Sequence, residues 1–416
     1  MNSADQPLIG LRVVDLTTFL SGPSATQLLG DLGADIIKVE SITGDSSRGI
    51  AGPSIGDESA YFLANNRNKR SIAIDLKSDA GMAVLNRLVD SADIVIENFR
   101  PGVMARLGLA PSDALARRPD LIWASISGFG QEGPLSGRPA YDMVVQAMSG
   151  VMSLTGHPGA PAARLGIPAG DVVAGLYAVI GILAAIRARD VSGTGRLIDV
   201  SMLKGQLAML SYQALYTLVT GVAPAPQGAG HDSIATYRSF RGGDGKEFVV
   251  TANTQKMWES LCTVVGHDEL ASDARFIDAA HRLDNRHALW EILESAFASA
   301  PSSHWVEALT NASVPVAPVK DVLEALGDAR SADDGSLIDV AGESHAFENV
   351  ATPITFAGVE EQPATYPPEL GAHSLEVLTT DLGYSIDEAQ ALVDSGCVLT
   401  NDPAGARAFA QQMPAG

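Results

Sequence analysis

The chain has 416 residues, 46% apolar and 19% charged, which is enough length for two or three domains and too apolar for wholesale disorder. Its 49 acidic side chains outnumber 28 basic ones, for a formal charge of -21. That balance argues against nucleic acid and anionic membrane surfaces as partners, because both would repel it.

Residues 8–128 alternate short β-rich runs with helical stretches. Leu11–Leu16 reads as a strand, Ser21-Gly22-Pro23 as a turn, Ala25–Leu32 as a helix and Asp35–Glu40 as the next strand, a βαβ unit of the usual ~30 residues. The pattern continues with a strand at Ser71–Leu76, a helix at Ala80–Val89, a strand at Asp93–Phe99, a helix near Val103 and a strand at Leu121–Ser127. Such alternation predicts a parallel sheet covered by helices on both faces. Two long apolar helical patterns follow, near Met143–Ser153 and Val172–Arg187, then a strand at Arg196–Leu203 that leads into helix to about Thr220.

Residues 221–236, rich in Gly, Pro and Ala, read as a linker or loop. A small α/β unit comes next, with a hairpin around Gly242-Gly243-Asp244-Gly245. The acidic stretch 326–371 reads as loop-rich, helices at His373–Leu382 and Ile386–Ser395 close the fold, and the tail from Asn401 is expected to fray. The domains expected are therefore 1–225, 226–330 and a returning segment 331–416.

Cys262 and Cys397 are too few for a disulfide framework or a cysteine zinc site, which fits a reducing cytoplasm. The start MNSADQPLIG shows neither the basic residues nor the apolar run of a signal peptide. The longest apolar stretch, 172–186, falls short of the ~20 residues of a membrane span. Cations gather in the first half as Arg67, Lys69, Arg70, Lys77, Arg87, Arg100, Arg106, Arg117 and Arg118, a bias that suits an anionic small molecule or an ordinary solvated surface.

Most enzyme signatures are absent. The eight histidines show no metal-ligand spacing, and there is no GxSxG elbow or GxxxxGK[ST] loop. Gly128-Phe129-Gly130-Gln131-Glu132-Gly133 matches GxGxxG after a strand, but Pro134 and Pro139 deny it the helix that a dinucleotide needs. Asp171 stands just before the apolar helix, after Gly166-Ile167-Pro168-Ala169-Gly170. Its ordinary role there is a helix N-cap. The same place suits a carboxylate nucleophile, with the helix dipole favouring the charged form and Gly170 allowing a substrate to approach.

Taken together, Ser21-Gly22-Pro23, Leu32-Gly33-Ala34-Asp35, Lys38-Val39-Glu40, Gly44-Asp45, Asn66–Ser71, Glu97–Gly102, Ser127–Gln131, Ala140-Tyr141-Asp142, Gly166–Ala174 and Gly193–Ser201 resemble the class III CoA-transferases, the formyl-CoA transferase or CaiB/BaiF family. Weaker echoes lie at Asp273-Arg275-Phe276, Val314–Val319 and Gly371-Ala372-His373. The resemblance implies an α/β fold with a large Rossmann-like domain, a smaller inserted α/β domain and two ring-like subunits interlocked as a homodimer.

It also implies transfer of CoA from an acyl-CoA to a carboxylic acid, with Asp171 as nucleophile and no metal or tightly bound cofactor. By the same positional matching, CoA contacts come from Ile74, Lys77, Asn98, Phe99, Arg100, Arg106 and Tyr141, with the cations suited to phosphates. Oxalate-type members carry Gln where this chain has Leu20 and an aromatic where it has Ile50, and their glycine-rich lid is echoed only loosely by Gly228-Ala229-Gly230-His231. That departure points to a more apolar site for a larger acyl group or a dicarboxylic acid. Other readings are an α-methylacyl-CoA racemase, whose histidine is replaced here by Tyr141, an NAD(P)-dependent oxidoreductase and a non-catalytic CoA-binding protein.

Overall fold

A computed structural model describes residues 6–359 and 363–401. The chain divides into two compact units. The larger comprises residues up to 151, then 164–221 and from 333 onward; the smaller comprises 152–163 and 222–332.

The larger unit is built on a seven-stranded sheet: β1 (Arg12–Asp15), β2 (Asp35–Glu40), β3 (Lys69–Ile74), β4 (Ile94–Glu97), β5 (Ile122–Ser127), β6 (Leu197–Ser201) and β7 (Val398–Leu399). The order across the sheet is β7-β3-β2-β1-β4-β5-β6, all parallel except β7, which pairs antiparallel with β3. Apart from β7 this is the doubly wound order, which reverses direction between β1 and β4 and opens a crevice at their C-terminal ends.

Strands buried on both faces read as continuous apolar runs, and successive residues feed opposite cores. Val14, Ile37, Ile72, Val95 and Trp123 pack with Val84, Leu85 and Leu88 of helix α2 (Asp79–Ser91). On the other face, Val13, Ile36, Ile94 and Ile122 pack with Leu29 of α1 (Ser21–Asp31) and with Ala174, Ala178 and Ile182 of a long helix at Ala169–Ser192.

Helix α1 begins at Ser21, four residues ahead of the expected start, because Pro23 sits in the first turn, where a missing N–H costs nothing. After α3 (Asp142–Met148), the long helix Ala169–Ser192 is α4; α5 (Met202–Met209) and α6 (Tyr212–Thr220) follow β6. At 24 residues, α4 exceeds the apolar stretch read from the sequence and is long and apolar enough to cross a membrane by length and composition. Its alanine-rich side is buried against the sheet, while Leu176, Ile180 and Leu183 on the other side are exposed.

Two expectations change. The acidic stretch read as loop-rich contains an antiparallel hairpin, Leu337–Ala341 with Ala346–Val350. Residues 152–163, expected in the large domain, belong to the smaller unit, where Gly228 N–H donates to Gly156 O at 2.9 Å. That unit is a three-stranded antiparallel sheet, with helices at Gln255–Val264, Arg286–Phe297 and Ser302–Asn311 around Phe240, Phe248, Trp258, Phe297 and Trp305. The expected hairpin at 242–245 is present, turning on Gly245 at φ +76°. The frayed tail expected beyond Asn401 lies outside the described residues.

Candidate active site

The loop after β1 is held from below by buried charges. Asp15 ends β1 and accepts from Thr17 N–H at 2.8 Å, from Thr26 Oγ1 at 2.6 Å and from Lys69 Nζ at 3.2 Å. Lys38 Nζ donates to Thr17 O at 2.9 Å and to Asp45 Oδ2 at 3.0 Å, and Asp45 Oδ1 accepts Phe19 N–H at 3.2 Å. Burial alone would raise Asp15, but the charges of Lys69 and Lys38 overcome it and hold the carboxyl at about 2. Burial pushes Lys69 down to about 8 against the pull of Asp15.

These bonds keep Phe19 in the left-handed region at φ +63°, a conformation that costs roughly 1–3 kcal/mol in a non-glycine residue. The Phe19 ring is thereby set edge-on to Tyr141, with ring centres 6.4 Å apart.

Across the crevice, Asn98 follows β4 and ties the same loop. Its Oδ1 accepts Thr18 N–H at 2.9 Å, and its Nδ2 donates to Thr18 O at 2.8 Å and to Ser21 Oγ at 3.2 Å. Behind it, Glu97 is buried and accepts Phe99 N–H at 2.8 Å. Burial lifts the Glu97 carboxyl to about 7 against nearby donors.

Helix α4 carries Asp171 in its first turn. Gly175 faces α1, and a Cβ there would lie 2.7 Å from Ser21 O and 2.8 Å from Ser24 Oγ, so only glycine lets the two helices meet this closely. Asp171 is one turn earlier on the same face, which brings its carboxylate to the Ser21 hydroxyl. Asp171 is not the helix cap expected from its position. Helix α4 starts at Ala169, and its Gly170 N–H is satisfied by Asp142 Oδ1 at 2.7 Å. Gly170 is explained the same way: a Cβ would sit 2.9 Å from Asp142 Oδ1, so its glycine admits Asp142 rather than a substrate. The expected dipole stabilisation is also outweighed. Burial and the neighbouring Asp142 charge raise Asp171 to about 6, against the Ser21 hydrogen bond.

A cavity of about 290 Å³ opens where these elements converge, at the C-terminal ends of β1, β4 and β5. Of the residues proposed from the sequence, it gathers Asp171, Asn98, Phe99, Arg100 and Tyr141. Ile74, Lys77 and Arg106 are not in its wall. Ile74 is wholly buried among the sheet's core residues, so its side chain contacts protein. Lys77 is exposed just past β3, three strands from β4 or about 14 Å along the edge, and Arg106 is exposed on the short helix Val103–Arg106. Leu20 is buried and Ile50 half-buried, and neither lines the cavity.

The wall also includes residues that sequence reasoning missed: Thr18, Phe19, Ser21, Tyr61 and Arg138. Burial, then the charges of Asp171, Asp45 and Asp142, raise the Tyr61 phenol. Gly128 lines the cavity too, and its GxGxxG loop opens no helix before Asp142.

The cationic bias of the first half has a largely structural origin. Arg67 pairs with Asp31 at 2.6 Å, Lys69 with Asp15, Arg70 with Asp35 at 2.7 Å and Asp381 at 2.6 Å, Arg117 with Asp90 and Arg118 with Asp120. Arg100 and Arg138 are left facing the cavity. Among the described residues, no group of three or more His, Cys, Asp or Glu is placed to hold a metal ion.

Comparison with known proteins gives a consistent picture. The profile of CoA-transferase family III matches residues 8–374. The chain is 43% identical over 338 residues to an acetyl-CoA:oxalate CoA-transferase of Acetobacter aceti, covering 81% of this chain and 86% of that protein. It is 33% identical over 395 residues to a succinyl-CoA:glutarate CoA-transferase of Mus musculus, covering 94% and 90%. Among solved structures, a CaiB/BaiF family protein from Brucella suis superimposes with a TM-score of 0.81 at 35% identity, over 91% of this chain and 99% of that one.

Proposed function

The chain belongs to CoA-transferase family III, and from that premise we propose that it passes coenzyme A from an acyl-CoA to a carboxylic acid through covalent intermediates on Asp171. The observation that carries this reading is the carboxylate of Asp171 in the cavity wall, at the crevice between β1 and β4, with the helix-capping duty taken over by Asp142.

A carboxylate Oδ of Asp171 attacks the donor's thioester carbon; the C–S bond breaks and CoA leaves as thiolate, giving a mixed anhydride. The thiolate then attacks the aspartyl carbonyl carbon and expels the donor acid as carboxylate, leaving CoA on Asp171. An acceptor carboxylate displaces the thiolate to form a second anhydride, and the thiolate attacks the acceptor's acyl carbon. Acceptor-CoA leaves and the Asp171 carboxylate is restored. No proton, water or electron is consumed overall, so the site needs only to hold two carboxylates and one thiolate in turn.

Arg100 and Arg138 suit the anionic portions of these reactants, and an extended CoA lying along the sheet's C-terminal edge reaches Lys77 past β3. The relatives named above act on short acids, and a cavity of about 290 Å³ fits such an acceptor beside the reactive end of CoA. With Leu20 and Ile50 outside the wall, their departure from oxalate-type members gives no reason to exclude oxalate. Short dicarboxylates, oxalate first, are the acceptors to try.

The reading extends to a homodimer, which is supported by the exposed apolar side chains of the larger unit, Leu176, Ile180 and Leu183 on α4 and Leu215, Leu218 and Val219 on α6. Two free, buried cysteines support a reducing, cytoplasmic setting.

Intact mass after brief incubation with acetyl-, succinyl-, formyl- and branched acyl-CoA tests the chemistry. An adduct of CoA less water, cleared by adding a carboxylic acid and absent in Asp171→Ala, is the expected result. Equal labelling of Asp171→Ala would refute the covalent role.

A further inference from the structure

Asp171 is the last of five residues, Ile167–Asp171, that lead into and open α4, and the four before it have no polar side chain to hold them. Ile167 is exposed, Pro168 cannot donate, and Ala169 and Gly170 have no polar group beyond the backbone. What holds them is a pair of side chains on α3. Gln146 Oε1 accepts Leu165 N–H at 2.9 Å, while its Nε2 donates to Ile167 O at 3.2 Å and to Asp142 Oδ2 at 2.7 Å. Asp142 Oδ1 accepts Gly170 N–H at 2.7 Å.

Gln146 is wholly buried and Asp142 9% exposed, and neither lines the cavity, so neither meets substrate. The pair is anchored in turn: the Ser149 hydroxyl donates to Gln206 Oε1 of α5 at 2.8 Å and lies 3.1 Å from Gln146 O, with Ser149 and Gln206 also buried. One orientation of the Gln146 amide satisfies all three of its bonds, and a Cβ at residue 170 would collide with Asp142.

We propose that Asp142 and Gln146 are positioning residues for group transfer: they suspend the loop that carries Asp171 from three of its backbone atoms, Leu165 N, Ile167 O and Gly170 N, and so set where its carboxylate meets the thioester. The inference rests on the covalent reading above and adds to it the two residues that make Asp171 reactive without touching the reactants. A carboxylate that must attack two different carbonyl carbons in turn has to be held near both, and a misplacement of about 1 Å at such a centre reduces rate on the order of 100-fold.

The test uses the full chain and whichever acyl-CoA labels Asp171 fastest. Gln146→Met keeps the volume and removes all three bonds. The rate of adduct formation per labelled site should fall about 10–100-fold, while donor KM stays within about three-fold, because donor contacts are untouched. Gln146→Glu places two carboxylates against each other and should be slower still. Adding Asp142→Asn to Gln146→Glu exchanges the amide and the acid within the pair and should recover about ten-fold, a coupling that general loss of packing does not produce.

Parental labelling by Gln146→Met, with Asp171→Ala unlabelled, overturns the positioning role and leaves the transfer reading intact. Labelling of Asp171→Ala at the parental rate removes both. Should Gln146→Met fail to fold, the exchange pair decides: effects that simply add overturn the proposal.

Discussion

Asp142 caps helix α4 from 28 residues upstream, through a 2.7 Å bond to Gly170 N–H, and the aspartate that local sequence marks as the cap is thereby left to face the cavity. The same carboxylate acts on Asp171 electrostatically. Burial is the larger cause of the rise in Asp171 to about 6, and the Asp142 charge adds to it, so one residue both holds the backbone beside Asp171 and contributes to its raised titration.

In the proposed mechanism the charged form of Asp171 attacks, so its raised value of about 6 predicts that adduct formation slows as pH falls through that region. The groups around it are Asp142, the Ser21 hydroxyl, Tyr61 and, across the cavity, Arg100 and Arg138. Asp142→Asn removes a neighbouring negative charge and should move the acid limb to lower pH. Ser21→Ala removes a hydrogen bond to the charged form and should move it higher. Rates of adduct formation between pH 4.5 and 8, measured in parent and both variants, check the order.

A carboxyl raised in the folded state is stabilising while protonated and loses that contribution as pH rises through its folded value. For Asp171 the window runs from its ordinary 3.8 to about 6. Asp171→Asn should therefore unfold at higher urea than the parent at pH 8, by about 1–2 kcal/mol after allowing for solvent screening, with the advantage shrinking toward pH 4.5. Urea titrations at the two pH values, with no advantage at pH 8, would count against the burial that raises it.

The buried charges under the β1 loop behave in the opposite way. Asp15, held at about 2, stabilises the fold above its ordinary 3.8 and loses that stabilisation as pH falls toward 2. Lys69→Met leaves Asp15 facing Lys38 alone, and breaking such a pair from one side costs about 3–5 kcal/mol. The loss should appear in the urea midpoint, and with it Phe19 should relax from its left-handed backbone and reduce donor turnover.

Gly175→Ala probes the contact between α1 and α4. A Cβ 2.7 Å from Ser21 O cannot be accommodated unless the helices part, at a cost of about 1–3 kcal/mol. Because Asp171 sits on the same face, both melting temperature and adduct rate should fall. A variant that lost stability but labelled at the parental rate would show that the helix contact does not place the carboxylate.

Much of this architecture was legible residue by residue. Strands such as Asp35–Glu40 and Ile122–Ser127 are buried on both faces, so their apolar runs carried the signal. The hairpin at 337–350 was not legible because Val340 is its one fully buried residue, with Leu337, Ile338 and Phe347 only half-buried among polar and exposed neighbours. At the site, Asp171, Asn98, Phe99, Arg100 and Tyr141 came from their resemblance to a family motif and converge on one cavity. Ile74 did not, because its motif position is a core position. The roles of Asp142 and Gln146 were invisible for a different reason: their partners lie 19 to 28 residues away along the chain, where no local pattern reaches. The cations misled in the same way, since the acids that neutralise Arg67 and Arg70 stand on α1, at the start of β2 and beyond residue 370.

The antiparallel pairing of Val398 with Ile74 has a consequence for how the protein is made. Until residues 398–399 leave the ribosome, the outer edge of β3 is an open row of backbone donors and acceptors flanked by buried-type residues such as Ile72 and Ile74. At synthesis rates of about 5–20 residues per second, that edge waits on the order of 15–60 seconds for its cover. During that interval the half-finished sheet is a template for any passing strand, and the nascent chain is expected to be a client of holding chaperones until Val398 and Leu399 pair with it.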